Sequence, residues 1–545
     1  MTTDGSRADR SALNDRYDAV IVGGGLAGLC LAIQLRQRLP EIEVLVAERK
    51  ESPAPFAAHK VGESSVEMAS HYFVDVLGLG DVLSNELPKF GLRFLLSSGD
   101  NSDVASRLEC GPSHFLTVPS FQIDRGQFEN ALAVRALELG VHFERGCSVR
   151  GMHLGAQGLD HRIDLERGGQ SERVGCRWLI DASGRASLLK RQLGVAKASR
   201  HAANAAWFRI DHPIDIDDWS DDLQWSSRLK HSRRLSTNHL MGEGYWVWLI
   251  PLAGGRTSVG IVTDAELHSF AEISSYDRAL EWLERHEPQC ADVVRRLDHE
   301  RLDFKALRHY AHDAKQVFSA DRWGLVGDAG LFLDPLYSPG SDFIGVANCY
   351  LGDLIARDLR QEDIAEVAER YDRAYRSLGR TYLVNYHRQY PIMGSPRVMT
   401  TKVIWDFAMY WGGVALLFFS DRLCDERFVE RTHPIMQRFA ALNIRMQALF
   451  RDWAANSRDG EPRPGAFVDY AELEFLARMN AELKHPYDEE ALLAKLESNL
   501  ALAEALQLEI RAEAAYWMPG RPGVCAQPAR SEHLSAMFRT MRPAD

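Results

Sequence analysis

Short apolar runs and helical periodicities alternate along this chain, and each change of period marks an element. Tyr17-Asp18-Ala19-Val20-Ile21-Val22 is mostly apolar, the pattern of a buried parallel strand. Glycines interrupt it, and residues 29–39 then follow a helical period. A second apolar run, 43–47, ends at Glu48. After a polar, Pro-containing link come His59-Lys60-Val61-Gly62-Glu63-Ser64-Ser65 and an apolar helix over 66–76. Residues 87–94 read as a turn entering a strand, and 121–125 lead into a helix over 126–139. Strands follow at 141–143, 162–165 and 178–181, the last ending in the glycine turn Asp181-Ala182-Ser183-Gly184-Arg185.

The texture changes over 200–310. Strand-like runs such as 206–210 and 258–262 alternate with polar loops, and one helix is expected at 276–286. This is a β-rich insertion suited to a substrate floor. Residues 323–330 then restore the strand-and-glycine pattern, so the dinucleotide domain is discontinuous. From about 351 onward the pattern is helical. The uncharged apolar run 407–420 has fourteen residues, short of the roughly twenty of a membrane span, so it reads as a core or cavity-lining helix. Residues 458–465 form a linker, and amphipathic helices follow from 471. The expected domains are a flexible lead-in (1–16), a discontinuous nucleotide domain (17–200 and 310–375), the β-rich insertion (200–310) and a helical C-terminal region (376–545).

Composition narrows the function classes. A chain of 545 residues exceeds one core. A formal charge of −12 argues against a general nucleic-acid binder. The eight cysteines include no C-x-x-C pair, which fits reduced thiols in a cytoplasmic setting and offers no zinc site. The polar residues 1–16 lack the apolar centre of a signal peptide.

The first chemistry lies at Gly23-Gly24-Gly25-Leu26-Ala27-Gly28. Gly23, Gly25 and Gly28 fill the G-x-G-x-x-G fingerprint between a strand and a helix, with Glu48 twenty residues on. The first glycine permits the turn. The second lets backbone approach a pyrophosphate at the helix N-terminus, and the third lets helix and strand pack. Glu48 can accept hydrogen bonds from a ribose diol.

With this fingerprint, four segments together resemble the flavin-dependent halogenases of the FAD monooxygenase superfamily. Asp124-Arg125, Asp181-Ala182-Ser183-Gly184-Arg185 and Gly327-Asp328 are similar to the superfamily's flavin-holding segments. Trp246-Val247-Trp248-Leu249-Ile250-Pro251 matches the halogenase W-x-W-x-I-P motif. Phe332-Leu333-Asp334-Pro335-Leu336-Tyr337-Ser338-Pro339-Gly340 matches F-x-x-P-x-x-S-x-G in every fixed position. Lys89-Phe90-Gly91-Leu92-Arg93-Phe94 fits the stretch that carries the family's catalytic lysine. The resemblance implies an α/β fold: a Rossmann-type FAD-binding domain, a β-rich substrate domain and a helical C-terminal region. It puts Gly23, Gly25, Leu26, Ala27, Gly28, Glu48, Lys60, Arg125, Asp181, Gly327, Asp328, Pro335 and Gly340 along FAD. Gly340 and Ser341 fall at a chloride or bromide, and Lys89, Trp246, Trp248 and Ser338 at the reaction.

The implied activity is oxidative halogenation. Reduced FAD, O2 and halide supply hypohalous acid, which a tunnel delivers to Lys89. A desolvated lysine is partly neutral near pH 7, or donates a hydrogen bond when charged; either form can polarise the electrophile beside an electron-rich carbon. No second G-x-G-x-x-G is visible, which points to a separate flavin reductase as partner.

Two positions depart from the family. The tryptophan-specific members carry a glutamate where this chain has Tyr337, which shifts the expected substrate to a phenol or pyrrole, free or on a carrier protein. Pro339 has no N–H to offer a halide, and Asp342 is expected nearby, where it would repel one. Other readings are a halide-independent FAD monooxygenase or dehydrogenase of a bulky apolar substrate, and a flavin- or carrier-binding module. His114 and His201 are conceivable bases, though each reads more simply as a surface or core histidine.

Overall fold

The computed structural model describes residues 12–58, 60–155, 159–457, 462–521 and 532–542. Most of the expected lead-in (1–11), His59, half of the expected linker (458–461) and Cys525 lie outside the described residues. Two eight-stranded sheets and a helical layer make up the fold.

The first sheet runs in the order Phe318–Ser319, Trp323–Leu325, Gln170–Asp181, Arg16–Val22, Val44–Glu48, His142–Arg145, and an antiparallel branch, His161–Arg167 then Cys147–His153, leaves it at Gln170–Asp181. From Trp323–Leu325 to His142–Arg145 its pairings are parallel. Its central strands are apolar over residues 19–22, 44–47 and 178–180, where they are buried; Leu26–Arg38 and Arg125–Glu138 pack together against the sheet. Asp124 caps the second of these helices by accepting from the N–H groups of Gly126 and Gln127. The chain reversal after Arg16–Val22 depends on Gly23, at φ +115°, where a Cβ would stand 2.4 Å from the Ala182 carbonyl oxygen.

The second sheet runs Lys305–Leu307, Ala203–Ile210, Arg256–Asp264, Tyr245–Leu252, Thr237–Gly242, Leu92–Leu96, Leu108–Gly111, Phe467–Asp469. It is not confined to 200–310: two strands come from before that stretch and one from near residue 468. Its central strand explains the aromatic motif. Tyr245, Val247 and Leu249 point one way, into a core with Trp282 and Leu283 of helix Tyr276–His286. Trp246, Trp248 and Ile250 point the other way, toward the first sheet. Trp248 lies over Gly260 of the paired strand, where a Cβ would meet the indole at 2.1 Å.

The apolar stretch of the C-terminal half is a helix, Pro396–Met409, continued by a π-helical segment, Tyr410–Ala415, and a last turn, Leu416–Phe419. Together they are long and apolar enough to cross a bilayer, and 72% of the apolar window is buried. The inner face lines a cavity, as Asp406, Phe407, Tyr410 and Trp411 show.

Candidate active site

Two neighbouring cavities lie among the sheets and the helical layer. The larger, about 710 Å3, is bounded by the glycine loop, the 60–64 segment, the Trp246–Trp248 face and the 335–341 loop. The smaller, about 340 Å3, is bounded by residues 66–67, 89–92, 337–342 and the helices from 374 to 440.

Gly23, Gly25, Leu26 and Ala27 line the larger cavity. At Gly25 a Cβ would meet only a Glu129 oxygen, 4.0 Å away, so the open space there faces the cavity. Helix Leu26–Arg38 has no side-chain cap, which leaves first-turn N–H groups for an anion. Gly28 is not part of the wall: its Cβ would stand 2.2 Å from the Gly23 carbonyl, so it serves helix–strand packing. Glu48 lines the cavity while accepting from the N–H of Gly24 (2.9 Å) and of Lys50 (2.8 Å). Lys60 and Arg125 line it too, both paired with Glu129. Despite burial, these two cations hold the Glu129 carboxyl below its usual range. Gly327, Asp328, Pro335, Ser338, Gly340 and Ser341 complete the wall. Burial pushes the Asp328 carboxyl up, against Arg185 and Arg125.

Asp181 stands apart from this wall. It is fully buried, and its oxygens accept from the N–H groups of Ser183 (2.9 Å) and Leu189 (2.8 Å). It therefore shapes the glycine turn from behind, and Ser183, Gly184 and Arg185 face the cavity instead.

The tryptophans are held at both ends. The Trp246 Nε1 donates to Tyr390 Oη (3.0 Å), and Trp248 Nε1 donates to Ser258 Oγ (3.1 Å). Ser258 in turn donates to Glu63, which is ion-paired with buried Arg209. Their ring centroids lie 5.7 Å apart. Beside them His239 stacks on Phe94, centroids 4.7 Å apart, and bonds through Nδ1 to the Arg93 carbonyl oxygen (3.0 Å). Burial pulls the His239 imidazole down to about 3, so it is neutral near pH 7.

Lys89 lies where the two cavities approach. It borders the smaller cavity, and its Nζ donates to Ser64 Oγ (2.9 Å) and to the Ser65 carbonyl (2.8 Å). Ser64 belongs to the wall of the larger cavity. Burial pulls the Lys89 amine down to about 7, against the opposing pull of Glu67 and Asp342. Within one pH unit of neutrality both its forms are populated.

The loop between the cavities is strained. Tyr337 and Ser338 are both left-handed, at φ 64° and 56°, just before helix Gly340–Leu359 begins. This divides the loop: Tyr337, Pro339 and Asp342 line the smaller cavity, while Ser338, Gly340 and Ser341 line the larger. The expectation that Asp342 would stand at the halide loop is therefore corrected. Its Oδ1 accepts from the Ala69 N–H (2.8 Å) and its Oδ2 from Tyr410 Oη (2.9 Å), while Tyr410 Oη accepts from the Met68 N–H (3.1 Å). Asp342 thus satisfies the N-terminus of helix Glu67–His71. Burial raises its carboxyl to about 8.

Several residues that sequence reasoning passed over are central here. Asp334, an unspecified position of its motif, is buried and accepts from His201 Nε2 and Tyr390 Oη (both 2.6 Å), from Tyr310 Oη (2.9 Å) and from the Leu336 N–H (2.9 Å). Through Tyr390 it ties the 332–340 loop to Trp246. Against burial, the His201 and Tyr390 hydrogen bonds hold its carboxyl below the usual range. His201 is thus a core histidine, and His114 is exposed beside Glu472. Glu67, Tyr382, Tyr386 and Asp406 line the smaller cavity from unrelated parts of the chain. No local motif marks them. Among the described residues no cluster of histidine, cysteine and acidic side chains suits a metal ion.

The comparisons agree with this geometry. A family model described as FAD binding domain matches residues 16–330. The flavin-dependent halogenase chlA of Dictyostelium discoideum is 26% identical over 443 residues, covering 74% of this chain and 70% of that protein. The 1H-pyrrole-2-carbonyl-(peptidyl-carrier protein) chlorinase of Pseudomonas fluorescens is 25% identical over 361 residues, covering 62% of this chain and 76% of that protein. Among solved structures, halogenase PltM in complex with phloroglucinol and FAD matches at a TM-score of 0.63 and 15% identity, over 90% of this chain and 96% of that one. The chain belongs to the FAD binding domain family, as an FAD-dependent oxidoreductase similar to the flavin-dependent halogenases.

Proposed function

We propose that the protein halogenates an electron-rich aromatic or heteroaromatic compound, using reduced FAD, O2 and chloride or bromide. The observation that carries this reading is Lys89: a buried, desolvated amine that borders the smaller cavity and bonds to the wall of the larger. A hydroxylase needs its substrate against the flavin. Here the loop over 335–342 divides its residues between the two spaces, and the two tryptophans wall the larger one.

The larger cavity suits FAD by its size, its open glycine wall and its uncapped helix start. The glycine loop and first-turn N–H groups would hold the pyrophosphate, and Glu48 the ribose. Lys60, Arg125, Asp328, Pro335 and Gly340 would bound the rest of the cofactor. When bound, reduced FAD would activate O2, which takes two electrons from the flavin and two from the halide to give hypohalous acid and water. The N–H groups of Gly340 and Ser341, at a helix start beside Ser338, are the donors for a halide. Trp246 and Trp248 exclude bulky substrate from the larger cavity. Lys89 orients the electrophile toward the smaller one.

In the smaller cavity, Tyr382 and Tyr386 hydroxyls have no hydrogen-bond partner in the protein. Walls that are otherwise largely apolar, with free hydroxyls among them, favour a compact oxygen-bearing aromatic of phenol type. The alternative is a pyrrole delivered on a carrier protein, by analogy with the Pseudomonas fluorescens relative. A separate flavin reductase supplies the reduced cofactor, and the reaction runs in the cytoplasm.

The missing N–H of Pro339 favours a second reading, a halide-independent FAD oxidoreductase. One assay separates them: FAD, a flavin reductase, NADH, O2 and bromide with phenols, indoles and pyrroles, free and carrier-bound, read by mass spectrometry. The bromine isotope doublet is expected, and it disappears in Lys89→Met. Oxygenated or desaturated product without bromine would establish the second reading.

A further inference from the structure

An aromatic ring that gains a halogen must lose a proton from the same carbon, and a carboxylate near the attacked carbon accelerates that step. This chain has Tyr337 where the tryptophan-specific members of the family it resembles carry a glutamate. Three carboxyl groups, Glu67, Asp342 and Asp406, line the smaller cavity. Two of them are committed elsewhere. Asp342 holds the start of helix Glu67–His71, with one oxygen on a backbone N–H and the other on Tyr410. Asp406 is ion-paired with buried Lys402 and accepts from Gln447 Nε2 (2.7 Å). The histidine in the wall, His433, is on the exposed face of helix Glu426–Asn456 and bonded to Gln437.

Glu67 is held differently: its carboxyl is turned to its own backbone N–H and to the Trp411 indole, which itself lines the cavity. It is 7% exposed and opens helix Glu67–His71, two residues after the Ser65 carbonyl that receives the Lys89 amine. The same short segment therefore positions both Lys89 and Glu67 on one side of the cavity. Resting on the halogenase reading, the geometry points to Glu67 as the group that accepts the ring proton after halogen transfer from the Lys89 side. In that step the ring carbon bonds the halogen as the halogen–oxygen bond of hypohalous acid breaks. The departing hydroxide takes a proton from the Lys89 ammonium and leaves as water. The carbon–hydrogen bond then breaks, its electron pair restores the aromatic ring, and the proton passes to Glu67. Solvent later returns a proton to Lys89 and removes one from Glu67. Burial, which raises the Glu67 carboxyl, makes it a stronger base than an exposed glutamate.

The test compares Glu67→Gln and Glu67→Asp with the wild type, using bromide and phenol or ring-deuterated phenol. Excess methionine is present to capture escaping hypobromous acid as sulfoxide. In Glu67→Gln, bromophenol formation is expected to fall by about a hundredfold. FAD binding, read by fluorescence quenching, stays within twofold, and methionine sulfoxide rises because the electrophile escapes. A primary isotope effect absent in the wild type is expected to emerge, and Glu67→Asp should recover part of the rate. Unchanged bromination without an isotope effect would overturn the assignment. So would loss of sulfoxide together with bromophenol, which would mark Glu67 as a support for the fold. Absence of both bromophenol and bromide-dependent sulfoxide from the wild-type enzyme would instead defeat the halogenase reading itself.

Discussion

The two cavities are built from different materials. Backbone groups, glycines and clustered charges wall much of the larger one, over segments near residues 23–28, 60–63, 182–186 and 327–341. Side chains wall the smaller one: tyrosines, aromatics and buried ionisable groups contributed largely by helices between 337 and 440. A cofactor of fixed shape can be held by local turns whose geometry demands glycine. A substrate pocket has no such template, and its walls come from tertiary packing. What joins the two is a small set of residues with contacts on both sides: Lys89, the loop that divides at Tyr337 and Ser338, and the Asp334 network.

Lys89→Met tests that division most severely. Product formation is expected to fall by about 10^2- to 10^4-fold, the range for loss of a positioned acid–base group. Affinity for FAD should stay within twofold, because the amine contacts the larger cavity only through Ser64. Mass spectrometry of products and a fluorescence titration of FAD read the two effects. A parallel loss of flavin binding would show that the cavities are not separable.

The contrast in material also explains what the sequence discloses. The strand–glycine–helix unit is legible because the close contacts at Gly23 and Gly28 tolerate no side chain. The Trp246 and Trp248 face is legible because a strand has a period of two. By contrast, the strand Phe467–Asp469 pairs with Leu108–Gly111 from a distant part of the chain, and no local pattern announces that pairing. The placement of Asp342 was misjudged for a related reason. Linear proximity to Ser341 suggested one environment, but the first turn of a helix turns successive side chains to different sides. Glu67 and Asp334 are invisible in sequence because burial, not a motif, makes them important.

Asp334→Ala sharpens the point that one buried group spans both regions. It leaves His201, Tyr310, Tyr390 and the Leu336 N–H without their acceptor. A loss of about 3–5 kcal/mol of stability is expected, measurable by chemical denaturation. Asp334→Asn should lose less, since one amide oxygen still accepts. Trp246 fluorescence should change in both, because Tyr390 holds its indole. An unperturbed indole signal would detach the network from the tryptophan face.

A smaller effect comes from the stability of Lys89 itself. Its folded amine sits at about 7, below the 10.5 of an ordinary lysine. A base depressed by folding costs stability: fully below the folded value, progressively less as pH rises, and not at all above the unfolded value. Lys89→Met removes that cost, on the order of 3 kcal/mol near pH 8, less the two hydrogen bonds it forgoes. Thermal unfolding should show the variant's relative stability greatest near pH 7 and declining toward pH 10. A difference that is flat with pH would mean the amine stays charged and paired when folded.

The smallest expected effect belongs to the larger cavity. Lys60 is partly exposed, with about a quarter of its side chain accessible, and its ammonium is already paired with Glu129. Arg125 holds the other oxygen of the same carboxylate. Because each cation is shared with Glu129, neither presents a full charge to a phosphate. Lys60→Met should therefore weaken FAD binding by less than about tenfold, with the deficit shrinking as salt rises. Turnover at saturating FAD should be unchanged, unlike in Lys89→Met. If Lys60→Met abolished turnover with FAD bound, the lysine beside the glycine loop, not Lys89, would be the reacting amine, and the functional division between the two cavities would have to be redrawn.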